Sequence, residues 1–180
     1  VLIGIYAILK VFDPGPALFS QLRVGRDGRT FTVYKFRTMR VDAQQRLDYL
    51  LANDPTAAAE WAQFQKLKHD PRVTVLGRIL RKMSLDELPQ LLNIVRGEMS
   101  VIGPRPVTSG EIHRYGAEYP YYTAVRPGVL GLWQVSGRNK LTYEQRVAFD
   151  VQYVKTWSIW QDIKILFMAI PVVLLGLGAY

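Results

Sequence analysis

The chain has 180 residues, enough for one domain with a core of its own. Its 23 Lys and Arg against 15 Asp and Glu give a formal net charge of +8, and 49% hydrophobic with 21% charged residues excludes a disordered tail. The absence of cysteine excludes disulfides, thiol nucleophiles and cysteine-based zinc sites, and two histidines argue against a His-rich metal centre or a His-centred triad. A mean hydropathy of +0.02 beside a pI near 9.8 joins apolar stretches to many cations, a pairing expected at a membrane surface or around phosphates. Arginines outnumber lysines 15 to 8. A guanidinium fork matches two phosphate oxygens where an ammonium is a point charge, although compositional drift accounts for the ratio equally well.

Residues 1–9 are nearly all apolar and end at Lys10. With no initiator Met, they read as the tail of a longer hydrophobic segment, shorter than the roughly 20 residues of a spanning helix. Residues 19–24 and 30–36 read as two strands joined by a turn at Arg26-Asp27-Gly28-Arg29, where Asp-Gly is a hairpin signal. Asp42 can cap a helix running to about Ala52, and Asp54-Pro55 restarts one that runs to about Lys68 and is stopped by Pro71. Residues 74–83 and 88–96 follow as short helices, the second closed by Gly97. Gly103-Pro104-Arg105-Pro106 cannot be regular structure, and Arg126-Pro127-Gly128 is another enforced turn. Residues 143–156 form a helix.

Residues 163–180 are apolar, interrupted by Lys164 and broken by Pro171, with Phe149, Tyr153, Trp157 and Trp160 just before them. Aromatics with a polar edge collect at bilayer headgroups, and an amphipathic helix can lie in that plane; a buried core helix is the competing reading. The fold is therefore expected to be mostly α with one small β-hairpin.

The most informative segment is Ser84-Leu85-Asp86-Glu87-Leu88-Pro89-Gln90-Leu91, preceded by Arg78, Arg81 and Lys82. If Ser84 is a helix cap, Glu87 completes a capping box. If Pro89 is the first helical residue, the acidic pair immediately precedes the helix, and proline's intolerance of the helix interior favours this drawing. Either setting stabilises negative charge. An ionised Asp86 could be a metal ligand, a nucleophile or both. Equally, Glu87 could be a cap and Asp86 an exposed first-turn acid.

In company, these residues carry a resemblance. Asp13-Pro14-Gly15-Pro16-Ala17-Leu18-Phe19, Arg23-Val24-Gly25-Arg26-Asp27-Gly28 and Tyr34-Lys35-Phe36-Arg37-Thr38-Met39 are followed in order by the Asp86-Glu87 segment, Gly103-Pro104-Arg105-Pro106 and Arg126-Pro127-Gly128. Over about residues 11–180 the chain resembles the bacterial sugar transferases, the monotopic polyprenyl-phosphate phosphoglycosyl transferases. The resemblance implies a single membrane-associated domain. Residues 1–12 would be the end of a truncated re-entrant helix, residues 13–180 the catalytic domain, and the C-terminal helices amphipathic and interfacial. Family members commonly carry Ser where this chain has Asp13.

It also implies a reaction: a sugar 1-phosphate passes from a UDP-sugar to polyprenyl (undecaprenyl) phosphate, UMP leaves, and exopolysaccharide, capsule or O-antigen synthesis begins. The catalytic dyad falls on Asp86 and Glu87, with Asp86 forming a covalent phosphosugar intermediate and Mg2+ bound at both carboxylates. Two anionic substrates meeting at a low-dielectric interface require cations. Lys35 and Arg37 on the second strand, Arg78 and Arg81 three apart on one helix, Arg105 and Arg126 in rigid turns, and Arg138 after Gly137 are assigned to phosphate and nucleotide. Arg23, Arg26 and Arg29 are left as surface charges. Asp150 orients an arginine, touches the sugar, or is a helix-surface acid.

Trp133 and Tyr153 read as packing, Leu88, Leu91 and Leu92 as core, and His69 and His113 as incidental. The 42–69 insertion and Gly131-Leu132-Trp133-Gln134-Val135-Ser136-Gly137-Arg138 look like the hexose branch, with a lean to galactose over glucose. The implied partners are a UDP-sugar, polyprenyl phosphate and membrane lipid, with room for a homodimer and no nucleic acid. The implied place is the bacterial inner membrane, cytoplasmic face. The alternative is a metal-dependent diphosphate hydrolase at the membrane surface.

Overall fold

A computed structural model describes residues 1–64, 67–137 and 141–174. In chain order the elements are α1 (Leu2–Phe12), β1 (Leu18–Val24), β2 (Thr30–Phe36), α2 (Ala43–Asn53), α3 (Pro55–Phe64), α4 (Val75–Lys82), α5 (Leu91–Val95), β3 (Ser100–Ile102), α6 (Tyr119–Ala124), β4 (Gly128–Leu130), α7 (Leu132–Ser136), α8 (Tyr143–Lys155) and α9 (Ile159–Leu174). Short 3-10 segments lie at Arg26–Gly28, Leu85–Gln90 and Ser109–Glu118. The structure is mostly helical with a small antiparallel hairpin, as the sequence indicates. The described chain forms two compact units, the first from Val1–Phe19 and Phe36–Asp86, the second from Ser20–Lys35 and the residues from Glu87 onward.

In the first unit, α2 and α3 pack through Leu47, Ala57 and Leu67, with Leu50, Leu51 and Trp61 at the margin. Asp54 caps α3, its Oδ1 accepting from the backbone N–H groups of Thr56 (2.9 Å) and Ala57 (3.1 Å). Asp42 stands at the cap of α2 but makes no cap hydrogen bond; its carboxylate takes Arg46 instead, at 2.9 Å. Thr74 caps α4 through the Gly77 N–H. Gly77 lies so close to the Thr38 backbone that an added Cβ would sit 2.0 Å from its carbonyl oxygen, so only glycine lets α4 approach Thr38. α1 buries Leu9 completely and leaves Val1, Ile3, Val11 and Phe12 exposed.

In the second unit, β1 and β2 pair around a turn in which Asp27 and Gly28 both have positive φ (56° and 72°). The core gathers Val24, Val107, Tyr115, Tyr122, Val147 and Val151. The expectation of a hairpin alone was incomplete: β3 and β4 form a parallel pair, with Ser100 opposite Gly128 and Ile102 opposite Leu130. Strands this short carry little periodicity to read. The Gly128 backbone meets that of Gly103 so closely that a Cβ would lie 2.1 Å from the Gly103 nitrogen.

Leu91 and Leu92, expected in the core, are exposed. The inward position of α5 belongs to Asn93, fully buried, which donates to Thr32 O and Glu98 Oε2 (2.7 Å each) and accepts from the Tyr34 N–H. A buried amide with its partners satisfied outcompetes the leucines for that place. α9 buries Ile165 and Ala169 and exposes Trp160, Leu166, Phe167 and Ile170. It continues through Pro171 to Leu174, where the sequence indicated a break. No helix among the described residues is long and apolar enough to cross a membrane.

Candidate active site

Neither sequence drawing of the Asp86-Glu87 helix start holds. Leu85–Gln90 is a 3-10 segment with Pro89 inside it, and Ser84 has φ 54°, outside the extended conformation of a helix cap. Glu87 is therefore not a capping residue. Its Oε1 accepts from Lys35 Nζ at 2.7 Å and lies 3.7 Å from Arg105 Nη1. These partners come from separate parts of the second unit.

Strand alternation on β2 puts Val33 and Lys35 on one face, and both line the cleft that holds Glu87 and Arg105. Arg105 is delivered by the irregular Gly103-Pro104-Arg105-Pro106 loop, whose Pro104 is fully buried. An added Cβ on Gly103 would meet the Arg126 carbonyl at 2.8 Å, which fixes the loop against the approach to β4.

Arg23 also lines this cleft, which corrects its reading as a surface charge. Its Nη1 donates to the Pro106 carbonyl (3.1 Å) and Glu111 Oε2 (3.2 Å), and its Nη2 to Gln21 Oε1 (2.7 Å). Burial first, then the neighbouring Arg105, pushes the Arg23 guanidinium below its ordinary pKa, against the pull of Glu111. Arg23 and Gln21 alternate along β1, the one signal by which the sequence could have found this pair.

Asp150 is neither a surface acid nor open to a sugar. It is 2% exposed, and its Oδ2 accepts from the Tyr115 hydroxyl at 2.8 Å. Burial pushes its pKa up to about 7, opposed by the Tyr115 hydrogen bond and by the backbone N–H and charge of Arg105. Its Oδ1 makes no hydrogen bond of normal geometry. Trp133 is packed, as expected, with the Arg146 guanidinium carbon 4.9 Å and that of Arg105 5.9 Å from its ring centre. Tyr153 is likewise buried, its hydroxyl 2.8 Å from Asp162 Oδ1.

In the first unit, Asp86 is half-buried and acts on Arg81, whose guanidinium is lowered by burial and raised by Asp86 and Asp70. Arg81 Nε donates to Thr38 Oγ1 at 2.9 Å. Asp70 and Arg72 form a two-pronged pair at 2.7 and 2.8 Å. Burial pushes the Asp70 carboxyl up, but the Arg72 hydrogen bonds and charge outweigh it and hold it below the ordinary range. Arg72, buried and stacked 4.9 Å from the Trp61 ring centre, carried no signal in the sequence.

Arg37, assigned to phosphate, is consumed elsewhere. It is 7% exposed, donates to the Asp13 and Pro14 carbonyls and lies 3.3 Å from the Asp13 carboxylate. It ties down the Asp13-Pro14-Gly15 bend and has no face to offer a ligand. Arg37 lies past the end of β2, so the alternation that places Lys35 no longer governs it. Arg78 is exposed, whereas Arg81 is half-buried. Arg126 is exposed, its Nη2 reaching towards Gly97. Arg138 lies outside the described residues.

Cations from two segments, Lys35 of β2 and Arg105 of the loop after β3, thus meet one acidic side chain whose chain neighbour is a second carboxylate. The family model for bacterial sugar transferases matches residues 1–176. The chain is 54% identical over 177 residues, 98% of its length, to an undecaprenyl-phosphate galactose phosphotransferase of Salmonella typhimurium, and covers 37% of that protein. It is 55% identical over 168 residues (93% of the chain) to a UDP-galactose-lipid carrier transferase of Erwinia amylovora, covering 35% of it. It is 49% identical over 176 residues (98% of the chain) to the exopolysaccharide production protein ExoY of Rhizobium meliloti, covering 78%. The chain therefore spans little more than a third of the first two relatives and most of the third. It belongs to the bacterial sugar transferase family.

Proposed function

We propose that the chain carries the transfer of a hexose 1-phosphate from a UDP-hexose to polyprenyl phosphate, with release of UMP. The observation that carries this reading is the convergence of Lys35 and Arg105 on Glu87, the residue joined by one peptide bond to Asp86. A carboxylate so clamped cannot swing to cap a helix. Its cations remain beside it to meet phosphate oxygens.

In the first step an Asp86 carboxylate oxygen attacks the phosphorus that bears the sugar. The phosphorus–oxygen bond to UMP breaks, and UMP takes the electron pair. In the second step a phosphate oxygen of the polyprenyl phosphate attacks the same phosphorus and the bond to Asp86 breaks. The product is a polyprenyl diphosphate sugar, and the carboxylate is regenerated. Arg81 holds the Asp86 charge in the first unit, and Lys35 and Arg105 hold Glu87 in the second.

Among the described residues no three acidic or histidine side chains cluster. Mg2+ takes one or two carboxylates and completes its shell with water and substrate phosphate. Asp86 and Glu87 would hold it, and when bound it neutralises diphosphate charge. The exposed apolar residues of α1 and of α9 support a seat at a membrane surface, with membrane lipid as a partner. The names of the Salmonella and Erwinia relatives make galactose the first donor to test, and that of a 42% identical Caulobacter vibrioides glucose-1-phosphate transferase makes glucose the second.

The test is transfer of label from a UDP-hexose carrying radioactive phosphorus next to the sugar. The protein should acquire one label per chain without acceptor and lose it when polyprenyl phosphate is added. Product forming with no protein-bound label at any time would overturn the covalent route and favour an activated water. UMP release that survives complete chelation of divalent metal would overturn the Mg2+ assignment.

A further inference from the structure

We propose that Arg146, together with Arg105 and Arg23, builds a phosphoryl-binding subsite around the Trp133 indole in the second unit. The proposal rests on the transferase reading for the identity of the ligand, but not for its chemistry. Arg146 stands on α8, four residues before Asp150, and the sequence reading gave it no role. Its guanidinium carbon lies 4.9 Å from the Trp133 ring centre, and that of Arg105 lies 5.9 Å from the same ring. Two guanidiniums against one indole are each drawn to the ring and pushed apart by one another.

The repulsion acts on two guanidiniums. Arg105 lowers the guanidinium of Arg146 and that of Arg23, in both cases after burial. The Nε of Arg146 is buried and donates to nothing among the described residues.

The charge count gives the class of ligand. Lys35, Arg23, Arg105 and Arg146 supply four positive charges. Glu87 takes Lys35 and Arg105, and Glu111 takes Arg23. Among the described residues, these two carboxylates against four cations leave an excess of two positive charges in a partly desolvated place. Asp150, behind Arg105 and pushed up to about 7 by burial, removes only part of this near neutral pH. Tyr143, which bonds Glu111 Oε1 at 3.4 Å, is itself raised by burial and stays neutral. Half-buried guanidiniums in excess are costly unless an anion joins them. A phosphoryl dianion matches both the charge and the planar forks. Two sources share this chemistry, the diphosphate of the nucleotide sugar and the terminal phosphate of the lipid.

The experiment titrates the full chain with inorganic pyrophosphate, reading tryptophan emission. Wild type should respond, and the Trp133→Phe variant should lose the response. Arg146→Ala should raise the half-saturation concentration about tenfold, the effect of one charge-assisted contact. Arg146→Lys, which keeps the charge and the stem, should raise it about threefold and serves if the alanine variant fails to fold. Unchanged titration by a folded Arg146 variant, or a full response in Trp133→Phe, overturns the subsite. The KM values assign the source: a rise for the UDP-hexose names the diphosphate, a rise for polyprenyl phosphate names the lipid, and a rise for neither overturns the proposal. Arg146-dependent pyrophosphate binding in a chain that releases no UMP from any UDP-hexose upholds the subsite and ends the transferase reading. Normal transfer with both KM values unchanged in Arg146→Ala does the reverse.

Discussion

Lys35 Nζ lies 2.7 Å from Glu87 Oε1, across 52 positions of sequence. Arg105 approaches the same oxygen, so one carboxylate offsets two cations. Glu87→Gln removes that offset while keeping the shape of the side chain. UMP release should fall by about a thousandfold, in line with the loss of a group that organises charge at the reacting phosphorus. Binding of inorganic pyrophosphate to the same variant should tighten, because the cleft gains one net positive charge. Both are read on one preparation, by UMP assay and by titration. Weaker pyrophosphate binding with turnover intact would show that Glu87 is structural.

Asp86→Asn is close to isosteric at a half-buried position. Its unfolding midpoint should move by less than about 1 kcal/mol equivalent. Protein-bound label from the UDP-hexose should vanish, and UMP release with it. Near-normal release by this variant would remove Asp86 as the nucleophile.

Arg37→Ala tests the reassignment of that residue from ligand to scaffold. The substitution leaves the Asp13 carboxylate, part of it already buried without a partner, facing no cation. Breaking a buried pair from one side costs about 3–5 kcal/mol. Urea unfolding should show that loss, and Asp13→Asn introduced beside Arg37→Met should recover part of it. KM for the UDP-hexose, measured where the variant is folded, should match wild type. A raised KM without lost stability would return Arg37 to the phosphate site.

Asp150 makes stability depend on pH with a definite sign. Its folded pKa is raised by burial to about 7, above the unfolded value of 3.8. Between these values the folded chain binds more protons than the unfolded chain, so stability falls as pH rises from about 4 to about 7. Asp150→Asn cannot ionise and should flatten this part of the profile. Thermal unfolding of both proteins across the window checks it. Identical slopes would place the charge elsewhere.

Much of the fold was legible because local chemistry dictates it. Asp54-Pro55 starts α3, Thr74 caps α4, and the Asp27-Gly28 turn takes positive φ at two successive residues. The Asp86-Glu87 pair, Lys35 and Arg105 were legible as a set only through the order of motifs in the family. What was misread shares a physical cause. Leu91 and Leu92 were assigned inside by hydrophobicity alone, but a buried Asn93 with complete hydrogen bonding took the inward place. Arg37 was assigned to phosphate from its place at the second strand and Arg23 was left as a surface charge, but Arg37 is buried against Asp13 and Arg23 lines the cleft.

By itself the sequence determined the acidic pair, the excess of arginine, the turns and the apolar ends, because these depend on residue type and near neighbours. Which cation meets which carboxylate was decided only by tertiary structure. Lys35, Arg105, Trp133 and Arg146 lie on segments whose approach depends on backbone contacts such as that of Gly103 with Gly128. Coulomb and desolvation energies vary with distances of a few ångströms, and linear order along the chain does not encode those distances.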